Sequence, residues 1–557
     1  MITTATPLRG AVGVTREERK VILGSSLGTV FEWYDFFLYG SLAAIIGKTF
    51  FGAFPPATQA IFALLAFAAG SLVRTFGALV FGRVGDLVGR KYTFLVTILI
   101  MGLSTSLVGL LPGSTTIGLW APIILIVLRL FQGLALGGEY GGAAIYVAEH
   151  APPGRRGFYT SWIQTTATLG LFLSFVVILG TRGVVGEQAF QVWGWRVPFL
   201  FSSVLLGISV WIRMQLHESP VFQRMKAEGK ASKAPLTEAF GRWSNIKIAL
   251  IALFGLVAGQ AVVWYVGQFY VLFFLQNILR VDGFTATLLV FWSLFLGSGF
   301  FVVFGWLSDK VGRKPIIIGG CLLAAVTYFP IFKAITEHAN PALARAFENV
   351  KVTVVADPAQ CGNLFNPVGN RVFSAPCDLA RAYLGQNSVR YDRQAAPAGE
   401  PVRVLVNGTT VPFEANKLAE SRSAITAALW AAGYPKVGDP DTVRMTHVFD
   451  LRSAQVLSII GLLFVLTIYV TMVYGPMAAV LVELFPARIR YSGLSLPYHI
   501  GNGWFGGLLP AAAFSMVAQT GDIYFGLWYP IVFAVATFII GLLALPETKD
   551  RDITDLD

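Results

Sequence analysis

The chain has 557 residues, of which 55% are hydrophobic and 13% charged, with a mean hydropathy of +0.65. Soluble globular proteins carry about 25% charged residues, so this composition excludes a water-soluble body of this size. The 44 Phe, 13 Trp and 18 Tyr exclude a disordered or collagen-like chain. A net charge of +11 invites nucleic acid, but basic residues beside apolar spans are more simply explained by lipid topology.

Stretches of about 20 apolar residues, the length that crosses a bilayer, predict twelve helices near 21–47, 57–81, 92–111, 120–147, 158–180, 196–214, 247–275, 285–306, 315–333, 454–478, 491–517 and 523–545. The first is too long for a signal-peptide core and holds two carboxylates, so it is expected to remain in the mature chain. If the leader with Arg9 is cytoplasmic, the inner segments collect Arg83, Arg90, Lys91, Arg155, Arg156, Arg213, Lys310, Arg313, Lys314, Arg488 and Arg490. The short outer loops hold only Lys48, Arg182, Arg196 and Arg280. The positive-inside rule then places both termini in the cytoplasm, and nucleic-acid binding loses its only support.

The loop GRVGDLVGRK from Gly82 to Lys91 recurs as GWLSDKVGRK from Gly305 to Lys314, at an offset of 223 residues. Glu149, Pro152 and Arg156 recur as Glu483, Pro486 and Arg490, at an offset of 334. Two homologous six-span halves with about 111 extra residues in the second account for both offsets. The divisions are therefore 1–216 (first half), 217–246 (cytoplasmic linker), 247–335 (spans seven to nine), 336–452 (insertion) and 453–557 (spans ten to twelve with a short cytoplasmic tail). The insertion follows nine spans, which places it outside. VRVLVNGTTVPF within it alternates about Asn407-Gly408, a hairpin signal. A small α+β or β-rich cap is expected, a loosely ordered loop being the alternative. Cys361 and Cys377 fall in this oxidising space, where a disulfide is favoured over two free thiols.

No phosphate loop, H-E-x-x-H, C-x-x-C or G-x-S-x-G pattern is present, so neither an enzyme nor a cofactor or metal site is expected, and energy must come from a gradient. Glu32 and Asp35 stand three residues apart near the middle of the first span. Intramembrane carboxylates are costly and functional by default, which makes both candidates for proton coupling, Asp35 first because it lies deeper. Glu139 is a third candidate for titration, although Gly137, Gly138, Gly141 and Gly142 around it first suggest close helix packing.

Arg74 and Arg129, within spans two and four, each need a carboxylate partner or an anionic substrate. For Arg129 the two readings weigh equally; Arg74, a turn or two from the cytoplasmic end, could instead snorkel or brace the gate. Gln260, Trp264 and Gln268 recur one helical turn apart along span seven, a stripe suited to a central cavity, with interhelical hydrogen bonding as the alternative. Tyr265, Tyr270, Gln164, Thr168, His499 and Asn502 are weaker cavity candidates. In the repeated loops, Gly82, Gly89, Gly305 and Gly312 permit tight turns, and Asp86 and Asp309 can cap the next helix or pair with arginines such as Arg90 and Arg313.

The paired G-x-x-x-D-x-x-G-R-K loops, Arg129 followed by Gln132-Gly133, and the two-half span pattern resemble the major facilitator superfamily. EWYDF at Glu32–Phe36, LVRTFG at Leu72–Gly77, LGGEYGGA at Leu136–Ala143, GWRVPF at Gly194–Phe199 and PARIRYSG at Pro486–Gly493 resemble its metabolite:proton symporter family, which includes permeases for shikimate, oxoglutarate, citrate and proline/betaine. Arg74-Thr75 replaces the family's Arg-Pro, and Leu87 replaces the usual basic residue after the loop aspartate. The resemblance, which leaves out the extracytoplasmic insertion, implies an all-α membrane protein whose gate loops close the cytoplasmic side in the outward-open state. The expected function is proton-coupled symport of a small organic acid across the inner membrane, with substrate, protons and lipid as partners and a monomer as the unit. A zwitterion or compatible-solute carrier is the alternative, and a transporter-derived receptor a more remote one.

Overall fold

The computed structural model describes residues 16–52, 54, 56–215, 218–362, 364, 373–436 and 438–553. Arg9 of the leader, counted above with the cytoplasmic charge, lies outside the described residues.

Long helices dominate. In chain order they are α1 (Arg16–Ser41), α2 (Pro56–Leu87), α3 (Arg90–Leu110), α4 (Trp120–His150), α5 (Arg156–Val185), α6 (Arg196–Met214), α7 (Trp243–Ile278), α8 (Gly283–Val311), α9 (Arg313–Ala339), α10 (Ala454–Leu484), α11 (490–520) and α12 (Phe525–Ala544). Nine of these, among the described residues, are long and apolar enough to cross a membrane. The remaining three are α1, α2 and α11. Two of the helices contain π-helical turns. α7 contains π-helical turns at Leu253–Val257, Val266–Tyr270 and Phe274–Ile278, and α11 has another at Gly501–Gly506. Such turns sit preferentially at functional sites.

Small residues set the closest helix contact. Along the α2–α4 seam, a Cβ at Gly133 would strike the Gly70 carbonyl and one at Gly137 the Arg74 carbonyl. The two backbones therefore touch, as small-residue interfaces in membranes allow, and Arg74 is carried against α4.

The insertion is a folded α+β unit. Its sheet has the order β2-β1-β3-β4, with β1 (Val352–Ala356) parallel to β2 (Asp392–Ala395) and antiparallel to β3 (Arg403–Val406), which pairs with β4 (Thr409–Pro412). The central strand β1 is buried along its whole length. β3 and β4 meet in a hairpin at Asn407 and Gly408, whose φ values of 47° and 85° suit a two-residue turn. Helices Pro341–Asn349, Pro376–Gln386 and Leu418–Ala431 complete the unit, and a disulfide joins Cys361 to Cys377.

Hydrogen bonds fasten this unit to the second half. Arg280, past the end of α7, donates to the carbonyls of Asn387 and Pro435. Arg381, held by Asp378 at 3.5 Å, donates to the Gln519 carbonyl of α11 at 2.9 Å. Asn340 donates to the Leu279 carbonyl at 3.0 Å, and Trp292 of α8 to that of Val448 at 2.7 Å.

Candidate functional site

Helix α1 carries both carboxylates, and a three-residue spacing separates them by about 60° around the axis. Asp35 turns into the first half. The Ser202 hydroxyl of α6 donates to it at 2.6 Å, and Thr105 of α3 and Arg129 of α4 face the same carboxylate. Glu32 turns to the seam between the halves, where it lines a small cavity with Thr29, Trp33, Arg74, Leu136, Tyr140, Ile163, Gln164, Tyr498 and His499. An adjoining small cavity is walled by Trp33, Phe36, Trp264, Tyr265, Tyr474 and Tyr498, with Arg74 and Asn502 as its polar groups.

Arg74 belongs to both cavities. The structure does not leave it snorkelling: α2 continues to Leu87, about 20 Å further along the axis. The side chain is 7% exposed, and its guanidinium stands 5.6 Å from the Phe36 ring.

Aromatic contacts between the halves bound the cavities on both sides. On one, Trp33 meets Trp264 at 5.7 Å between ring centroids and Phe37 meets Phe269 at 6.1 Å. On the other, Tyr140 stacks on Tyr498 at 3.7 Å, and the Tyr498 and Tyr474 hydroxyls share a hydrogen bond of 2.6 Å. Gln164 donates to the Tyr140 hydroxyl at 2.9 Å.

Several expected cavity residues lie elsewhere. Arg129 does not line either cavity: its guanidinium lies 4.0 Å from the Tyr39 ring and donates to Gln132, whose amide donates to Thr105 at 2.7 Å. α4 presents this turn toward α1 and α3, so Arg129 reaches the Asp35 pocket, and Arg74 is the arginine that lines the cavities. The span-seven stripe also divides. Trp264 and Tyr265 line the cavity, whereas Gln260 exchanges hydrogen bonds of 3.3 Å with Asn502 and Gln268 is buried away from the lining. Glu139 is locked in a buried ion pair with Arg213 and accepts from Thr97 at 2.7 Å, so its neighbouring glycines do serve packing. His499 lines the Glu32 cavity and is 1% exposed.

The repeated loops build a second constellation. Asp309 accepts the amides of Gly157 and Phe158, each at 2.8 Å, and Asp86 accepts those of Tyr491 and Ser492 at 3.2 and 2.9 Å. Each aspartate thus caps a helix of the opposite half, α5 or α11, which corrects the expectation that it caps the next one. Glu218 takes that local role, accepting from the amides of Arg90 and Lys91 at 3.2 and 3.1 Å, and Glu547 accepts those of Arg313 and Lys314 at 2.9 and 3.1 Å. The preceding glycines, Gly89 and Gly312, have φ of 138° and 108°, and a Cβ on either would strike the capping glutamate.

Ion pairs close the network. Asp86 pairs with Arg90 at 3.5 Å and Asp309 with Arg313 at 2.6 Å. Glu149 of α4 pairs with Arg490 of α11 at 2.7 Å, and Glu483 of α10 pairs with Arg313 at 3.0 Å and with Arg156 of α5 at 3.8 Å.

Residues 21–242 and 431–557 match the family model described as sugar (and other) transporter, more than half of the chain. The chain belongs to that family. A second model, MFS/sugar transport protein, matches residues 151–356. The protein is therefore a membrane transporter of the major facilitator superfamily and not an enzyme. It is 34% identical over 419 residues to the shikimate transporter of Escherichia coli, covering 74% of this chain and 90% of the relative. It is 36% identical over 327 residues to the proline/betaine transporter of Salmonella typhimurium, covering 58% and 65%. In fold it matches the proton:xylose symporter XylE with a TM-score of 0.60 at 15% identity, over 98% of this chain and 99% of that one.

In this transporter the central cavity and the interlocked loops are separate constellations, one suited to holding a solute and the other to joining two halves. Sequence reasoning missed Arg213, Glu218 and Glu547. The parallel texts HESP at 217–220 and PETK at 546–549 were the available signal for the two glutamates.

Proposed function

We propose that the protein is a proton-coupled symporter of a small monocarboxylate in a bacterial inner membrane. Twelve spans form two six-helix halves, both termini are cytoplasmic, residues 336–452 are periplasmic, and the working unit is a monomer. The observation that carries this reading is Arg74, a single guanidinium set among aromatic rings at the seam between the halves. One fixed cation binds one carboxylate and leaves a second or third carboxylate uncompensated in a medium of low dielectric. The ring walls of Trp33, Trp264 and Tyr265 bind the substrate's body, apolar or flat.

Coupling resides in Asp35. Its pocket, with Ser202, Thr105 and Arg129, adjoins the substrate cavity through α1 and holds a carboxylate that alternates between protonated and ionised forms as the halves rock. The fold shared with a proton:xylose symporter and the shikimate transporter among the relatives support the reading.

A zwitterionic solute is the second reading, and the same aromatic walls favour it, since rings bind quaternary ammonium groups. Uptake of radiolabelled shikimate, citrate and glycine betaine into proteoliposomes, with and without an inward-acid pH gradient, separates the two. Gradient-dependent uptake of shikimate but not of citrate supports the first reading; uptake of betaine alone supports the second.

A further inference from the structure

Two carboxylates one turn apart on α1 open into different pockets, and only one of them shares a wall with Arg74. Of Arg74, Arg213, Glu139 and Asp35, the charged groups around Glu32, only Arg74 lines its cavity. Glu139 and Arg213 neutralise each other in a direct ion pair, and Asp35 has its own pocket with Arg129. Arg74 and Glu32 are left facing the same cavity without a direct ion pair, with the imidazole of His499 and the Tyr140 and Tyr498 rings on the same wall.

We propose that Glu32 is a second proton-binding site, linked to substrate through Arg74, so that each cycle carries two protons with one carboxylate. The inference rests on the proposed monocarboxylate function and deepens it. In the empty cavity the Glu32 carboxylate compensates Arg74. A substrate carboxylate arriving at Arg74 places two anions against one cation, and like charges at close range in a dry site cannot both stay ionised. A proton from the outer solution forms the O–H bond on Glu32, and the substrate takes the guanidinium. On the inner side the substrate leaves, the O–H bond breaks, the proton enters the cytoplasm and Glu32 returns to Arg74. With the proton on Asp35, each monoanion moves with two protons and a net charge of +1.

That net charge is measurable. Purified full-length protein in proteoliposomes is given radiolabelled shikimate, lactate and benzoate, and accumulation is followed as an inside-negative potassium diffusion potential is varied at constant pH on both sides. The expected result for wild type is about tenfold more accumulation per 59 mV with the carboxylate it accepts, the response of one net charge. Glu32→Gln moves one proton per carboxylate and loses this dependence on potential, while a pH gradient still drives it. Glu32→Asp keeps a titrating group and keeps the dependence. A wild type insensitive to potential, or a Glu32→Gln variant that retains the full response, overturns the proposal. If Glu32→Gln fails to fold by size-exclusion profile, Glu32→Asp decides alone, and loss of its response also overturns it. If wild type accumulates none of the three acids under either gradient, the monocarboxylate reading fails first and this inference with it; if it accumulates one under a pH gradient only, that reading stands and the second proton does not.

Discussion

Asp86 accepts a 2.9 Å hydrogen bond from the backbone amide of Ser492, 406 residues further along the chain. Asp309 makes the reciprocal contact with Phe158. The two halves therefore hold each other by exchanged helix caps, and any motion that separates α5 from α8, or α2 from α11, must break two amide contacts and uncover a buried aspartate.

Asp86→Ala and Asp309→Ala are expected to weaken this closure by about 1 kcal/mol each from the lost cap, with more from the orphaned arginines. The double variant should bind substrate with affinity near wild type but populate the opposite access state several-fold more. Thiol labelling of a cysteine in place of Ser161 of α5, buried against Gly305, reads this directly; unchanged labelling together with unchanged flux would remove the gating role.

Asp35→Asn cannot carry a proton but keeps the side-chain volume. Accumulation driven by a pH gradient should fall to what the single proton on Glu32 supports and lose its response to membrane potential, while downhill exchange falls much less. Accumulation equal to wild type would show that the Asp35 pocket is structural.

Arg74→Lys replaces a planar fork with a point charge on a thinner stem. The apparent KM for the accepted carboxylate should rise at least about tenfold, equivalent to ~1.4 kcal/mol. Arg129→Lys should act mainly on the pH dependence of uptake, since Arg129 faces Asp35. Equal effects on KM from both substitutions would mean that both arginines meet the substrate.

Much of this was legible in the chain because it depends on local pattern. Apolar run length marked the helices, and the hairpin followed from Asn407-Gly408, where only residues tolerant of positive φ serve. The loop aspartates were recognisable as a repeated text, but their partners were not. A cap between residues more than 150 positions apart leaves no local periodicity, and Asp86 reads equally well as a cap for the adjacent α3. The apolar run ends at 81 while α2 itself ends at Leu87: the last two turns carry the exposed Arg83 and the buried Asp86, the latter satisfied by the Tyr491 and Ser492 amides across the gate. Arg129 and Arg74 look alike in one dimension, and only the rotation of α4 against α1 and α3 separates the arginine that faces Asp35 from the one that faces the cavity.

The insertion should fold around its disulfide. Cys361→Ser with Cys377→Ser should destabilise it locally by about 3 kcal/mol for a loop of this length, seen as faster amide exchange over 352–356 and 403–412. A cysteine placed at the exposed Asn416 should react with a membrane-impermeant thiol reagent in intact spheroplasts; reaction only after lysis would place the insertion in the cytoplasm and reverse the topology.

The central claim is that a carboxylate enters with protons and is bound by Arg74. Its most direct test is the initial rate of radiolabelled shikimate uptake into proteoliposomes with an inward-acid pH gradient, compared with the same vesicles after the gradient is collapsed by a protonophore. The account predicts accumulation above the external concentration that vanishes with the gradient and is lost in Arg74→Ala. Accumulation that survives the protonophore, or that persists in Arg74→Ala, would contradict it.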